Sequence, residues 1–154
     1  MRNILTKLII GMAITAIGAF AADNSLGTWK LNMEKSKFSP SAPVKSLTST
    51  REASDGGVKV TTTGEQANGT PINASYTAKY DGKEYPVTGA PYDTIAIKQV
   101  DTNTFTAMLK NTGTKYIATG LSVISKDGKT MTTTTKGTNA EGNPMNNTMV
   151  YEKQ

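Results

Sequence analysis

The chain holds no histidine and no cysteine, which narrows its chemistry before any fold is considered. The commonest general base, the thiolate nucleophile and the nitrogen and sulfur metal ligands are all missing. Its carboxylates sit mainly in turn sequences, at Asp55, Asp81, Asp101 and Asp127, where Asx side chains bonding their own backbone account for them. No two are spaced to share a strand face as an acid–base pair. Tyr80, Tyr85 and Tyr92 flank the Glu84-Tyr85-Pro86-Val87 segment, an arrangement ordinary at a barrel rim. No catalytic residue, cofactor or metal is therefore expected, and the remaining chemistry is that of binding. Arg51, the one arginine beyond residue 21, is in phase with Leu47. Pointing inward it would anchor an anionic head group or cover an aromatic ring; pointing outward it is a solvated strand-end residue.

The elements that must position these residues begin after an export signal. Arg2 and Lys7 precede an apolar run from Leu8 to Phe20 that contains no charge. Thirteen residues fall short of the roughly 20 that a membrane-spanning helix requires. The run closes on Ala19-Phe20-Ala21, a small-x-small cleavage pattern, so residues 1–21 read as a signal peptide and 22–154 as the mature domain. The mature part then holds no transmembrane segment. Cleavage takes the 17 basic residues to 15 against 12 acids, lowering the net charge from +5 to +3. Lysines and acids stay interspersed, without a basic run set among aromatics, so nucleic acid is not an expected partner. The lack of disulfides in an exported chain points to a bacterial periplasmic or extracellular protein.

From residue 26 onward threonine is abundant, glycine recurs and no 3.6-residue apolar period appears. Turn sequences recur at Asp55-Gly56-Gly57, Asn68-Gly69, Asp81-Gly82, Asp101-Thr102-Asn103, Asn111-Thr112-Gly113, Asp127-Gly128 and Glu141-Gly142-Asn143. Asx-Gly pairs supply the positive φ angles of tight hairpins, and the spacing is that of an antiparallel meander. Strands are expected over roughly 26–32, 45–53, 57–64, 70–80, 83–88, 92–100, 103–110, 114–125, 129–137 and 145–153, with one long irregular connection from Met33 to Val44. Alternation places Ile72, Ala74, Tyr76, Ala78 and Tyr80 on one face, continued by Ile95 and Ile97, by Phe105, Ala107 and Leu109, and by Ile117, Thr119, Leu121 and Val123. One buried and one wet face is the pattern of a sheet that closes or sandwiches on itself. A β-sandwich would leave two uncovered edges; a barrel would join first strand to last. An internal echo accompanies this: Gly64, Ala67, Gly69, Pro71 and Asn73 recur at one offset as Gly137, Ala140, Gly142, Pro144 and Asn146.

The mature part opens with Leu26-Gly27-Thr28-Trp29-Lys30-Leu31 and closes with Tyr151-Glu152-Lys153. These two ends resemble the calycin superfamily, the lipocalins and intracellular fatty-acid-binding proteins, whose first strand typically reads Gly-x-Trp. The resemblance implies an antiparallel up-and-down β-barrel of about 8–10 strands. In it Gly27 allows a tight chain entry, Trp29 lies across one barrel end and a cation from Lys153 or Arg51 covers the ring, a contact worth roughly 0.5–2 kcal/mol. The fatty-acid-binding branch also carries two helices after its first strand, for which the short Met33–Val44 connection has no room. That branch grips a ligand carboxylate with an inward arginine and tyrosine near the C-terminus; Tyr151 matches the tyrosine, but Met149 stands where the arginine would be.

The resemblance implies a monomeric, non-catalytic barrel that holds a small hydrophobic or amphipathic molecule. The candidate lining is Ile72, Tyr76, Ile95, Ile97, Phe105, Ile117, Leu121, Met149 and Tyr151, with Arg51 as the polar anchor; Gly27, Trp29 and Lys153 are the structural barrel end. Small inward residues such as Ala74, Ala78, Ala107 and Thr119 leave space for a cavity. The alternative is a filled barrel that acts through its surface, as an envelope-associated or inhibitor-like module.

Overall fold

The computed structural model describes residues 22–154, so the export signal expected over 1–21 lies outside the described residues. Ten strands follow in order: β1 (Gly27–Lys37), β2 (Val44–Ser54), β3 (Gly57–Gln66), β4 (Pro71–Lys79), β5 (Asp81–Thr88), β6 (Thr94–Asp101), β7 (Thr104–Lys110), β8 (Ile117–Ile124), β9 (Thr130–Thr138) and β10 (Pro144–Lys153). Every strand pairs antiparallel with its sequence neighbours, and β1 pairs with both β2 and β10. The sheet is thus a closed up-and-down barrel, without the free edges that a sandwich retains. Among the described residues, no helix is long and apolar enough to cross a membrane.

The connection expected from Met33 to Val44 is shorter than the prolines suggest, because β1 continues to Lys37 through a break in its register with β10 between Asn32 and Lys37. Local side chains satisfy the backbone that this bulge leaves unpaired. Asn32 Oδ1 accepts from the Lys35 amide at 3.0 Å, Ser36 Oγ donates to the Asn32 carbonyl at 2.6 Å, and the Val150 amide donates to Ser36 Oγ at 3.0 Å. Only residues 38–43 remain as loop.

The echo in the sequence is a repeated turn. In the β3–β4 connection the Gln66 amide donates to the Thr70 carbonyl and the Gly69 amide to that of Gln66; in the β9–β10 connection Asn139 and Asn143, then Gly142 and Asn139, make the same two bonds. Gly69 and Gly142 both sit at φ +89°, a conformation that side chains disfavour.

The barrel has a floor and a mouth. At the floor, where β1 begins and β10 ends, residues 22–26 cross the opening. Gln99 Nε2 donates to the Ala22 carbonyl at 3.0 Å, the Asn24 amide to the Thr102 carbonyl at 3.1 Å, and Asn24 Nδ2 to Asn103 Oδ1 at 2.7 Å. Trp29, fully buried, packs above this strip with Leu31, Phe105, Ile124, Met131 and Tyr151. A second apolar cluster, built on Val58, Val60, Ala78, Val87, Ile95, Ile97, Leu109, Tyr116 and Ala118, lines the opposite wall.

Candidate functional site: the barrel interior

Strand alternation sends every second side chain inward, and between the two clusters the interior is not filled. A cavity of about 480 Å³ runs down the barrel to a mouth formed by Pro43, Gln66, Pro91 and Glu141. This lies within the roughly 300–1,000 Å³ of small-molecule sites.

Most of the expected lining residues meet there. Ile72, Tyr76, Ile95, Ile97, Phe105, Met149, Tyr151 and Arg51 all border the cavity. At the barrel end Lys153 Nζ lies 5.2 Å from the Trp29 ring centroid, so the cation over the ring is Lys153 rather than Arg51.

Two expected lining residues do not reach the interior. Ile117 and Leu121 are 48% and 43% exposed and point outward, as does Val123. The inward set on β8 is Ala118, Gly120, Ser122 and Ile124. Register with β7 decides this, since Phe105 opposes Ser122, Ala107 opposes Gly120 and Leu109 opposes Ala118. Directly opposed residues share a face, so the inward bulk of Phe105 and Leu109 requires small partners on β8. The more apolar half of β8 is thereby left outside, and Thr119 also faces solvent.

The same register brings in residues that hydrophobic alternation passes over. Tyr116 is buried, with its ring centroid 5.8 Å from that of Tyr92. Buried Ser49, Thr135 and Asn147 border the cavity, with Thr62, Ser122 and Thr133 beside them. Thr62 donates to Ser49 at 3.4 Å, Ser122 and Thr133 hydroxyls are 2.8 Å apart, and Asn147 Oδ1 accepts the Ser39 amide at 3.2 Å. Their signal in the sequence is the doubled run Thr61–Thr63 and Thr132–Thr135, in which alternate threonines must face the interior.

Arg51 lies near the floor. Its Nε donates to Ser25 Oγ at 3.3 Å, and Ser25 Oγ donates in turn to Asp23 Oδ1 at 2.6 Å. Asp23 Oδ2 accepts the Tyr80 hydroxyl at 2.5 Å, and the Tyr80 ring packs on Phe105 with centroids 5.2 Å apart. Burial works against the Arg51 charge, but Tyr76, Tyr80 and Asp23 outweigh it and hold the guanidinium more firmly protonated. Burial pushes the Tyr151 hydroxyl up to about 12, with Arg51 opposing and Tyr76 adding to the shift. Burial also raises Tyr92, an effect that Tyr76, Tyr116 and Tyr151 reinforce and Arg51 opposes. These phenols are neutral donors at neutral pH. Tyr85 stands apart, its hydroxyl donating to Asp81 Oδ2 at 2.7 Å.

The interior is therefore a pocket lined by apolar side chains together with hydroxyl, amide and guanidinium groups. No protein-family model matches this chain, and no curated protein matches it.

Proposed function

We propose that this chain is an exported, lipocalin-like barrel of the calycin kind that binds a small hydrophobic or amphipathic molecule in its interior, without covalent chemistry. The observation that carries this reading is the cavity of about 480 Å³, floored by residues 22–26 and open at the opposite end. Burying apolar ligand surface there gains roughly 25 cal/mol per Å², and Ile72, Ile95, Ile97 and Leu109 supply the wall against which it is gained. The Gly27-Thr28-Trp29 start and the Lys153 cover over Trp29 support the calycin relationship. The basic n-region and apolar run before Ala21 support export to a periplasm or the cell exterior, with Ala22 as the mature N-terminus.

Native mass spectrometry of the protein taken from its own compartment, followed by organic extraction, tests the reading. The expected result is a chain beginning at Ala22 that carries a small non-covalent mass, released by solvent. Repeated recovery of the bare chain, with no small molecule that rebinds it, defeats the proposal.

A second reading, action through the outer surface, draws on one observation. Val100, Met108, Ile117, Leu121 and Val123 are exposed together on the outward face of β6–β8. It predicts protein partners lost on Leu121→Lys substitution, with cavity occupancy unchanged.

A further inference from the structure

Strand β8 carries its larger aliphatic side chains on the wrong side for a barrel in water. Ala118, Gly120 and Ser122 face inward, while Ile117, Leu121 and Val123 face outward and are exposed. Met108 on β7 and Val100 on β6 extend this outer patch, and Val100 is 62% exposed. Aliphatic side chains scattered singly over a surface are ordinary, whereas a run of them along one wall marks a contact surface. The opposite wall is unlike it. Exposed Glu52, Lys59, Thr63, Asn73, Ser75 and Thr77 stand outward on β2–β4, so the barrel is apolar on one side only. A barrel that crosses a bilayer needs an apolar band all round; a one-sided surface lies on its partner instead.

Two observations point to what that partner is. The first is charge. Lys98, Met108, Leu121 and Lys136 border one open depression on this wall. Register sets the lysines at its two ends: Lys98, Thr106, Leu121 and Thr134 stand in one row, and Ala96, Met108, Thr119 and Lys136 in the next. Among the described residues neither lysine is in an ion pair. The neighbouring acids are engaged, Glu84 with Lys110 and Asp81 with the Lys83 amide and the Tyr85 hydroxyl. An apolar face flanked by free cations calls for an anionic partner. A second copy would set the same lysines against each other, and residues 1–21 carry Arg2 and Lys7 with no acid; like charge opposes both as occupants. The second observation is where the preceding chain joins the domain. The Ala22 carbonyl accepts from Gln99 Nε2, and the Asn24 amide donates to the Thr102 carbonyl. Val100 lies between these two anchor points in sequence. The uncharged run from Leu8 to Phe20 therefore enters beside the apolar patch and not beside the polar wall.

We infer that the outer face of β6–β9 docks on an anionic bilayer surface, with Val100, Leu121 and Val123 entering the headgroup layer and Lys98 and Lys136 beside the lipid phosphates. This goes beyond the interior-binding proposal and does not depend on it. It takes the exposed aliphatic residues of the second reading and assigns them a lipid surface rather than a protein. Docking of this kind gains from the apolar area covered and from the attraction of each lysine to the charged surface. The lysine stems lie along apolar neighbours while their ammonium groups stay hydrated.

Vesicle flotation of the protein purified from its own compartment tests this, comparing equal parts phosphatidylglycerol and phosphatidylcholine with phosphatidylcholine alone. Binding is expected on the anionic vesicles and is expected to be weaker by about tenfold or more on the neutral ones. Lys98→Ala with Lys136→Ala is expected to weaken it about 25-fold, from roughly fivefold for each lysine. Leu121→Ser with Val123→Ser is expected to weaken it by about tenfold or more. Lys30→Ala with Lys59→Ala removes the same charge from the polar wall and is expected to change binding by no more than about twofold. All these side chains point outward, and the comparison of the two vesicle types on the unsubstituted protein reads the charge even where a variant folds poorly. Equal losses in the two lysine pairs would mean adsorption through net charge alone and overturn the inference. Binding that survives the Leu121 and Val123 substitutions, equal binding to both vesicle types, or binding to neither overturns it as well. A protein partner lost on Leu121→Lys, from a chain that binds no vesicle, decides for the second reading against it. Vesicle binding that follows the expected pattern in a protein with an empty interior supports it while defeating the interior proposal.

Discussion

The indole nitrogen of Trp29 donates to the backbone carbonyl of Ser25 at 2.7 Å, tying the largest fully buried side chain to the strip that floors the barrel. Ser25 is itself fully buried and carries the Arg51 and Asp23 contacts. Core, floor and cavity end therefore meet at one residue. Trp29→Phe removes the donor and strands the Ser25 carbonyl, a loss of about 1–3 kcal/mol. Trp29→Ala adds a cavity and is expected to cost about 3–5 kcal/mol. Urea denaturation curves of the two variants measure both, and an unchanged midpoint for Trp29→Ala contradicts this account of the floor.

Gly27 lies at φ +121°, and a Cβ built there would stand 2.8 Å from Lys153 Cε. The side chain of Lys153 can move aside, so the main cost of Gly27→Ala is backbone strain, about 1–3 kcal/mol. Adding Lys153→Ala is expected to relieve the contact but not the strain. A thermal melt in which the double variant regains full stability would show that crowding, rather than φ, sets the requirement for glycine.

The phase of β8 gives a paired prediction. Leu121→Ser, on the outer face, is expected to change stability by no more than about 0.5 kcal/mol. Ile124→Ala, on the inner face against Trp29 and Met131, is expected to cost about 2–5 kcal/mol. The reverse order in chemical denaturation would mean that β8 pairs one residue out of the register described.

Alkaline pH should weaken the fold through its interior tyrosines. The Tyr151 hydroxyl is raised from 10.0 to about 12, chiefly by burial, and burial likewise raises Tyr116. For a group whose folded pKa lies above its unfolded value, the stabilising contribution is complete below the unfolded pKa and is lost as pH rises through the folded one. Stability is therefore expected to hold up to about pH 10, the ordinary tyrosine value, and to fall towards pH 12. Tyrosinate absorbance followed beside circular dichroism checks this; ionisation of every tyrosine near 10 in the native state counts against the buried positions.

Much of the barrel was legible in the residues because hairpin chemistry is local. Asn68-Gly69 and Glu141-Gly142-Asn143 mark their turns through φ preference alone, and Ile72–Tyr76, Ile95–Ile97 and Phe105–Leu109 alternate visibly about a single buried face. The bulge over Asn32–Lys37 was not legible, since Ser36 and Asn32 mend the backbone through contacts that depend on Val150 across the sheet. The polar lining residues stayed hidden for a related reason. Thr133 and Thr135 look the same in sequence as their outward neighbours Thr132 and Thr134.

By itself, then, the sequence determined that the domain is an antiparallel meander and that chemistry based on histidine or cysteine is unavailable to it. Those conclusions rest on residue type and short spacing, which need no partner strand to be read. Ring closure through β1 and β10, the outward turn of Ile117 and Leu121, and the meeting of Arg51 with the floor were decided only in the tertiary structure. Each depends on which residue stands opposite which across a strand pair. Shifting a register by one residue reverses every side chain on a strand, and Phe105 and Leu109 settle that choice for β8 by leaving room only for Ser122 and Ala118.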